Sequence, residues 1–271
     1  MKETENENLL VENFVQCTYT EEDGTELMYS LYLPEDYDEN TGYPLVLFMP
    51  AATGESDDPY LALTESLGSV IWTVDSWQED NPCIVLVPQY TEDNTEDDSY
   101  TMALAQEIMD SYSVDEDRVY LVGQSSGAIR SIKLLIDYPD VFAGAMLVAG
   151  QADSAYEDQL ASLAKQNIWF ICSEKDARAY PGITEIVEAV EGAGTEATTS
   201  QWFAKLSDAE QEENAKEQEE AGTRINWTVF DGNTVMESNI ESSDVTEHMN
   251  TWRVAYSLDT IREWLFAQTR S

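Results

Sequence analysis

Residues 119–139 read VYLVGQSSGAIRSIKLLIDYP, and this stretch decides the fold. Val119 to Val122 make a short strand that runs straight into Gly123-Gln124-Ser125-Ser126-Gly127. Ile129, Ile132, Leu135 and Ile136 follow at helical spacing, so a helix begins at once. A G-x-S-x-G run between a strand and a helix needs its two glycines because the sharp turn crowds the neighbouring backbone. Ser125 then sits in a strained turn, with its hydroxyl exposed above the sheet beside the first turn of the helix. Ser126 is the rival hydroxyl. Its spacing from the glycines selects Ser125 instead and leaves Ser126 to offer its backbone N–H to a developing oxyanion.

A serine hydroxyl is too weak an acid to attack unaided, so a base is required. The chain holds one histidine. His248 is therefore the base, or there is no histidine base. It is expected in a polar loop after the last strand, ahead of a C-terminal amphipathic helix over Trp252 to Ala267. The acid that orients the imidazole should follow a late strand, at the carboxyl end of the sheet where open α/β sheets place their sites. Ile168 to Ile171 is that strand, and Ser173-Glu174-Lys175-Asp176 is its loop, which makes Asp176 the choice and Glu174 the runner-up. A second oxyanion donor belongs after the strand Leu45 to Met49. Pro50 has no N–H, so Ala51 or Ala52 must supply it.

Working outward, apolar runs at Phe14–Thr18, Met28–Leu33, Leu45–Met49, Cys83–Val87, Val119–Val122, Ala145–Val148, Ile168–Ile171 and Ile225–Phe230 predict eight strands. Helical patterns at Tyr60–Leu67, Tyr100–Ser111, Ser125–Asp137, Ala155–Lys165, Gly182–Glu191 and the C-terminus alternate with them. The alternation predicts an α/β fold, with a mostly parallel sheet covered on both faces and an antiparallel hairpin at its first edge. Residues of about 196–222 read as a small helical insertion at the rim of the cleft, within one domain spanning 1–271. Aromatic residues expected near the mouth are Tyr90, Tyr180, Trp202 and Phe203, and Gln124 is expected to border the substrate.

Composition removes several function classes. Thirteen Lys and Arg stand against 54 Asp and Glu, a formal charge of −41, which repels nucleic acid and anionic membranes. No apolar run approaches the length of a membrane helix. The opening MKETENENLLVENFV has no apolar signal segment, so the expectation is a cytoplasmic protein or one whose signal was removed. Three scattered cysteines read as buried thiols. With one histidine they give no zinc-ligand spacing, and the chemistry calls for no cofactor.

Four stretches carry a family resemblance: Arg118 to Gly127, Tyr138 to Ala145, Ile168-Trp169 leading to Glu174-Lys175-Asp176, and His248 before the last helix. Together they resemble the α/β-hydrolase superfamily, in the branch of polyhydroxybutyrate depolymerases and of feruloyl and acetylxylan esterases. Prolyl-oligopeptidase-like domains are its neighbours. The resemblance covers most of Leu27 to Ala267, and the chain order Ser125, Asp176, His248 is the one that fold uses. Two departures are Pro50-Ala51 and Cys172-Ser173, where the family often has His-Gly. The resemblance implies a serine esterase acting through an acyl-enzyme on neutral or aromatic esters, free or polymer-attached. A serine peptidase is the alternative, and an acidic mouth should disfavour anionic substrates.

Overall fold

A computed structural model describes residues 10–21, 23–91, 98–236 and 240–270, so most of the opening segment read above lies outside the described residues. Among the described residues one sheet of nine strands runs in the order β1-β2-β4-β3-β5-β6-β7-β9-β8. The strands are β1 (Val15–Thr20), β2 (Glu26–Tyr32), β3 (Tyr43–Met49), β4 (Ile84–Gln89), β5 (Val114–Gln124), β6 (Gly144–Val148), β7 (Ile168–Ser173), β8 (Ala197–Trp202) and β9 (Ile225–Phe230). β2 is antiparallel to both β1 and β4, and every other pair is parallel. Every residue of β3, β4, β6, β7 and β9 is buried, as strands covered on both faces must be.

The ninth strand corrects the expected eight. β8 comes from the segment read as a helical insertion, and it pairs with β9 at the edge of the sheet. It contains Thr198, Thr199, Ser200 and Gln201, because an edge strand half in water needs no apolar alternation.

Among the described residues the α-helices of eight residues or more are α1 (Asp98–Ser111), α2 (Ser126–Asp137), α3 (Ala179–Gly192), α4 (Asp208–Glu219), α5 (Asp244–Tyr256) and α6 (Asp259–Phe266). Tyr60–Leu67 resolves into two four-residue turns, Leu61–Thr64 and Leu67–Val70, and Ser154–Lys165 is a run of 3₁₀ turns. The C-terminal helix is two helices. Leu258 leaves helical geometry at φ −84°, ψ 103° and is buried. The freed N–H groups of Asp259 and Thr260 donate to the Glu212 carboxylate of α4 at 2.7 and 3.0 Å. That supplies the anion a helix N-terminus favours.

β5 and α2 meet at the decisive turn. α2 buries Ile132, Leu134 and Leu135 against the sheet, each contributing about 2 kcal/mol by removal from water. It lies so close to β3 that a Cβ at Gly127 would stand 2.0 Å from the Met49 carbonyl oxygen. A Cβ at Gly123 would stand 2.6 Å from Ser131 Oγ. Both glycines of the motif are thus required by close approach, and the approach sets the serine beside the end of β3.

Candidate active site

Ser125 is the residue between β5 and α2, at φ 52° and ψ −122°, a conformation costly for any side chain bearing a Cβ. Its N–H donates to Val148 O of the neighbouring β6 at 2.9 Å, which holds the turn in place. The hydroxyl lies 2.8 Å from His248 Nε2, and His248 Nδ1 lies 2.6 Å from Asp176 Oδ2. Asp176 is buried in the loop after β7. Its other oxygen accepts from the N–H groups of Arg178 and Ala179 at 3.1 and 2.9 Å, the first N–H groups of α3. These bonds fix which oxygen faces the imidazole.

His248 is not in a loop. It is the fifth residue of α5, whose N-cap Ser243 accepts from Thr246 N–H while Thr246 Oγ1 accepts from Ser243 N–H. Asp244 in the first turn accepts from Ala177 N–H at 2.7 Å, tying α5 to the acid loop. Glu247, the neighbour of the histidine, is fully buried. Its carboxylate accepts from Ser173 Oγ at 2.6 Å, Asn233 N–H at 2.8 Å and Ser242 Oγ at 2.8 Å. Trp252 stands edge-on to the imidazole at 5.6 Å.

Glu174 points elsewhere. It is exposed and accepts from Gly232 N–H at 3.1 Å, and Lys175 donates to Asn233 Oδ1 at 2.9 Å. Ser126 supplies the first N–H of α2, next to the Ser125 hydroxyl. Ala51 and Ala52 both line the cleft, but their N–H groups differ. That of Ala51 donates to Glu65 Oε2 at 3.2 Å, and that of Ala52 has no acceptor among the described residues.

The cleft encloses about 280 Å³, and Ile129, Ala149, Val245, Met249 and Trp252 make most of its apolar wall. The aromatic residues expected at the mouth are not there. Tyr90 is buried, with its hydroxyl 2.7 Å from Thr101 Oγ1 and its ring 3.6 Å below the Arg130 guanidinium. Tyr180 packs on Trp227 at 5.3 Å. Trp202 is buried edge-on to Phe230 at 5.8 Å, and Phe203 is exposed beside it. β8 is the far edge of the sheet, four strands from β5, so neither residue borders the cleft. Gln124 is buried behind the serine and accepts from Ser66 Oγ at 2.7 Å.

The missed lining residues had a signal. Val245, His248, Met249 and Trp252 are spaced as one face of a helix. Reading that segment as a loop hid the face.

Residues 20–259 match the model of the Esterase family, described as "Putative esterase". The chain belongs to the Esterase family. A curated member of the esterases, "Putative esterase NocK" of Nocardia uniformis subsp. tsuyamanensis, is 38% identical over 58 residues, 21% of this chain and 17% of that one. A thermostable esterase of known structure superposes with a TM-score of 0.78 at 21% identity, covering 97% of this chain and 64% of its own. The feruloyl esterase module of Clostridium thermocellum, complexed with sinapinate, gives 0.61 at 13% identity, over 94% of this chain and 88% of the module. These structural likenesses describe the α/β-hydrolase fold of the Esterase family.

Proposed function

We propose that the protein is a serine carboxylic ester hydrolase working through an acyl-enzyme on neutral esters. The observation that carries this is the continuous chain Ser125 Oγ, His248 Nε2, His248 Nδ1, Asp176 Oδ2, with links of 2.8 and 2.6 Å, at an apolar cleft in an Esterase-family chain. Ser125 Oγ attacks the ester carbonyl carbon while Nε2 takes its proton. Asp176 holds Nδ1–H and stabilises the imidazolium that forms. The carbonyl electron pair moves onto oxygen, which meets the N–H groups of Ser126 and Ala52. Donors fixed before the reaction are worth about 10²–10³ in rate apiece. The imidazolium returns its proton to the departing alcohol, and a water deprotonated by the same imidazole releases the acid.

The test is a panel of aryl and alkyl esters beside matched amides, with intact-mass analysis after treatment with a fluorophosphonate. Ester turnover well above amide turnover and a single adduct on Ser125 are expected. Amide turnover equal to ester turnover would favour a peptidase, and no adduct at Ser125 would remove the covalent mechanism.

A further inference from the structure

One half-buried carboxyl group beside the cleft has no part in the proton relay. Glu65 follows the short helical turn Leu61–Thr64 and reaches under the loop 50–54 that closes the cleft opposite the histidine. Its Oε2 accepts from Ala51 N–H at 3.2 Å, and its Oε1 meets the Thr53 hydroxyl. It packs so tightly on this loop that a Cβ at Gly54 would stand 2.7 Å from Oε2. From behind, the fully buried Gln124, the residue before the serine, turns its side-chain amide toward the same carboxyl group. Gln124 Nε2 has no hydrogen-bond partner among the described residues. One carboxyl group therefore holds one wall of the place where an oxyanion would form, the loop of Ala51 and Thr53.

We propose that Glu65 is the positioning residue of the oxyanion loop: by holding Ala51 N–H and the Thr53 hydroxyl it fixes the loop so that Ala52 N–H is left as the donor beside Ser125. This rests on the ester-hydrolase reading for its consequence in catalysis, though not for the geometry of the anchor. Ala51 N–H is occupied and Ala52 N–H is open, which chooses between two donors that are equivalent in sequence. The anchor also titrates. Burial pushes Glu65 up to about 7, against the hydrogen bonds from Thr53 and Ala51 that favour its ionised form. Glu55 in the same loop repels its charge, Tyr256 lies beneath it, and Arg253 faces it across an adjoining cavity that Trp252 separates from His248. Ionisation strengthens a carboxyl group as acceptor, so the hold on Ala51 tightens as pH rises through neutrality.

Two measurements test this. Protein labelled with ¹⁵N-alanine, with Ala51 assigned through Ala51→Gly, is titrated from about pH 5 to about pH 9. The Ala51 amide proton should move downfield with a midpoint near neutrality, and Glu65→Gln should abolish the movement. An Ala51 amide that stays fixed across the range in folded wild-type protein would overturn the anchor, whatever the enzyme does. The second measurement is kinetic. Glu65→Gln keeps an oxygen for Ala51 N–H and an amide for Thr53, so its kcat should stay within about threefold of wild type. Glu65→Ala should lower kcat about 10–100-fold with KM little changed, and should weaken a trifluoromethyl ketone in proportion. That ketone bonds to Ser125 Oγ and places its electron pair on an oxygen in the same hole. Folded Glu65→Ala with wild-type kcat would mean Glu65 only supports the fold, and the proposal would fall. Wild-type protein that hydrolyses no ester would instead sink the ester-hydrolase reading, while the Ala51 titration still decides the anchor.

Discussion

Glu247 and His248 are consecutive residues of α5 with separate tasks: the carboxylate is locked to Ser173 Oγ at 2.6 Å in the interior, and the imidazole reaches Ser125 Oγ at 2.8 Å in the cleft. Ser173 is the last residue of β7, three positions before Asp176. The helix that carries the histidine is thereby fastened to the strand that carries the acid. Glu247→Ala would leave two hydroxyls and a backbone N–H without their acceptor and should cost about 2–4 kcal/mol in urea unfolding. Activity should fall along with it. Glu247→Gln, which keeps one acceptor, should lose about half as much. Unchanged stability in Glu247→Ala would mean water enters and replaces the carboxylate.

The turn at Ser125 predicts an opposition between activity and stability. Ser125→Ala should lower turnover by about 10³ or more while retaining the fold, and His248→Ala should do the same without adding to it. Ser125→Gly should be as inactive yet melt above Ser125→Ala, because glycine releases about 1 kcal/mol of backbone strain at φ 52°. Melting curves of the two variants in one buffer decide it. A glycine variant less stable than the alanine would show that the turn holds no strain.

The two acidic candidates of the β7 loop are separated by their surroundings. Asp176→Asn should lower turnover by up to about 10⁴, since the amide presents the wrong hydrogen-bond pattern to Nδ1. Glu174→Gln should stay near wild type, its partner being Gly232 N–H at the surface. The reverse outcome would move the acid two residues earlier in the chain.

Glu65 gives a stability effect whose sign follows from its shift. Its folded value of about 7 lies above the ordinary 4.5, so the folded state holds the proton more tightly. That contribution is complete below the unfolded value and is lost as pH rises from 4.5 through 7. Wild-type stability should therefore decline across this window relative to Glu65→Gln, by roughly 1–3 kcal/mol after allowance for partial exposure. Parallel chemical denaturation at the two ends of the window measures the difference. Equal pH dependence in both proteins would contradict the shift.

Much of this arrangement was legible because it is local. Gly123 and Gly127 announce a close approach that no other residue tolerates, and the buried strands β3, β6, β7 and β9 are mostly apolar, with Ser173, Asn226 and Thr228 the exceptions in β7 and β9. The single histidine reduced a search to one candidate. What escaped was set by partners distant in sequence. β8 is polar because of its place at the sheet edge, and Tyr90 is drawn inside by Thr101 and Arg130. The helix around His248 was obscured by Glu247 and Thr251, polar residues that face a hydrogen-bonded interior, and by the half-buried Asn250, which donates to the Thr246 carbonyl of its own helix. Glu65 was one carboxylate among 54, distinguished only by what folds over it.

The serine and the histidine are 123 positions apart in the chain, with β6, β7, β8 and β9 between them. A ribosome making this protein delivers the elbow early, the acid later and the base only after the last strand has been laid down. Throughout that interval the hydroxyl of the nascent chain has no imidazole to take its proton. The order of synthesis thus leaves the meeting of Ser125 and His248 to the end of the chain: the 2.8 Å contact can form only once α5 has been made and has packed.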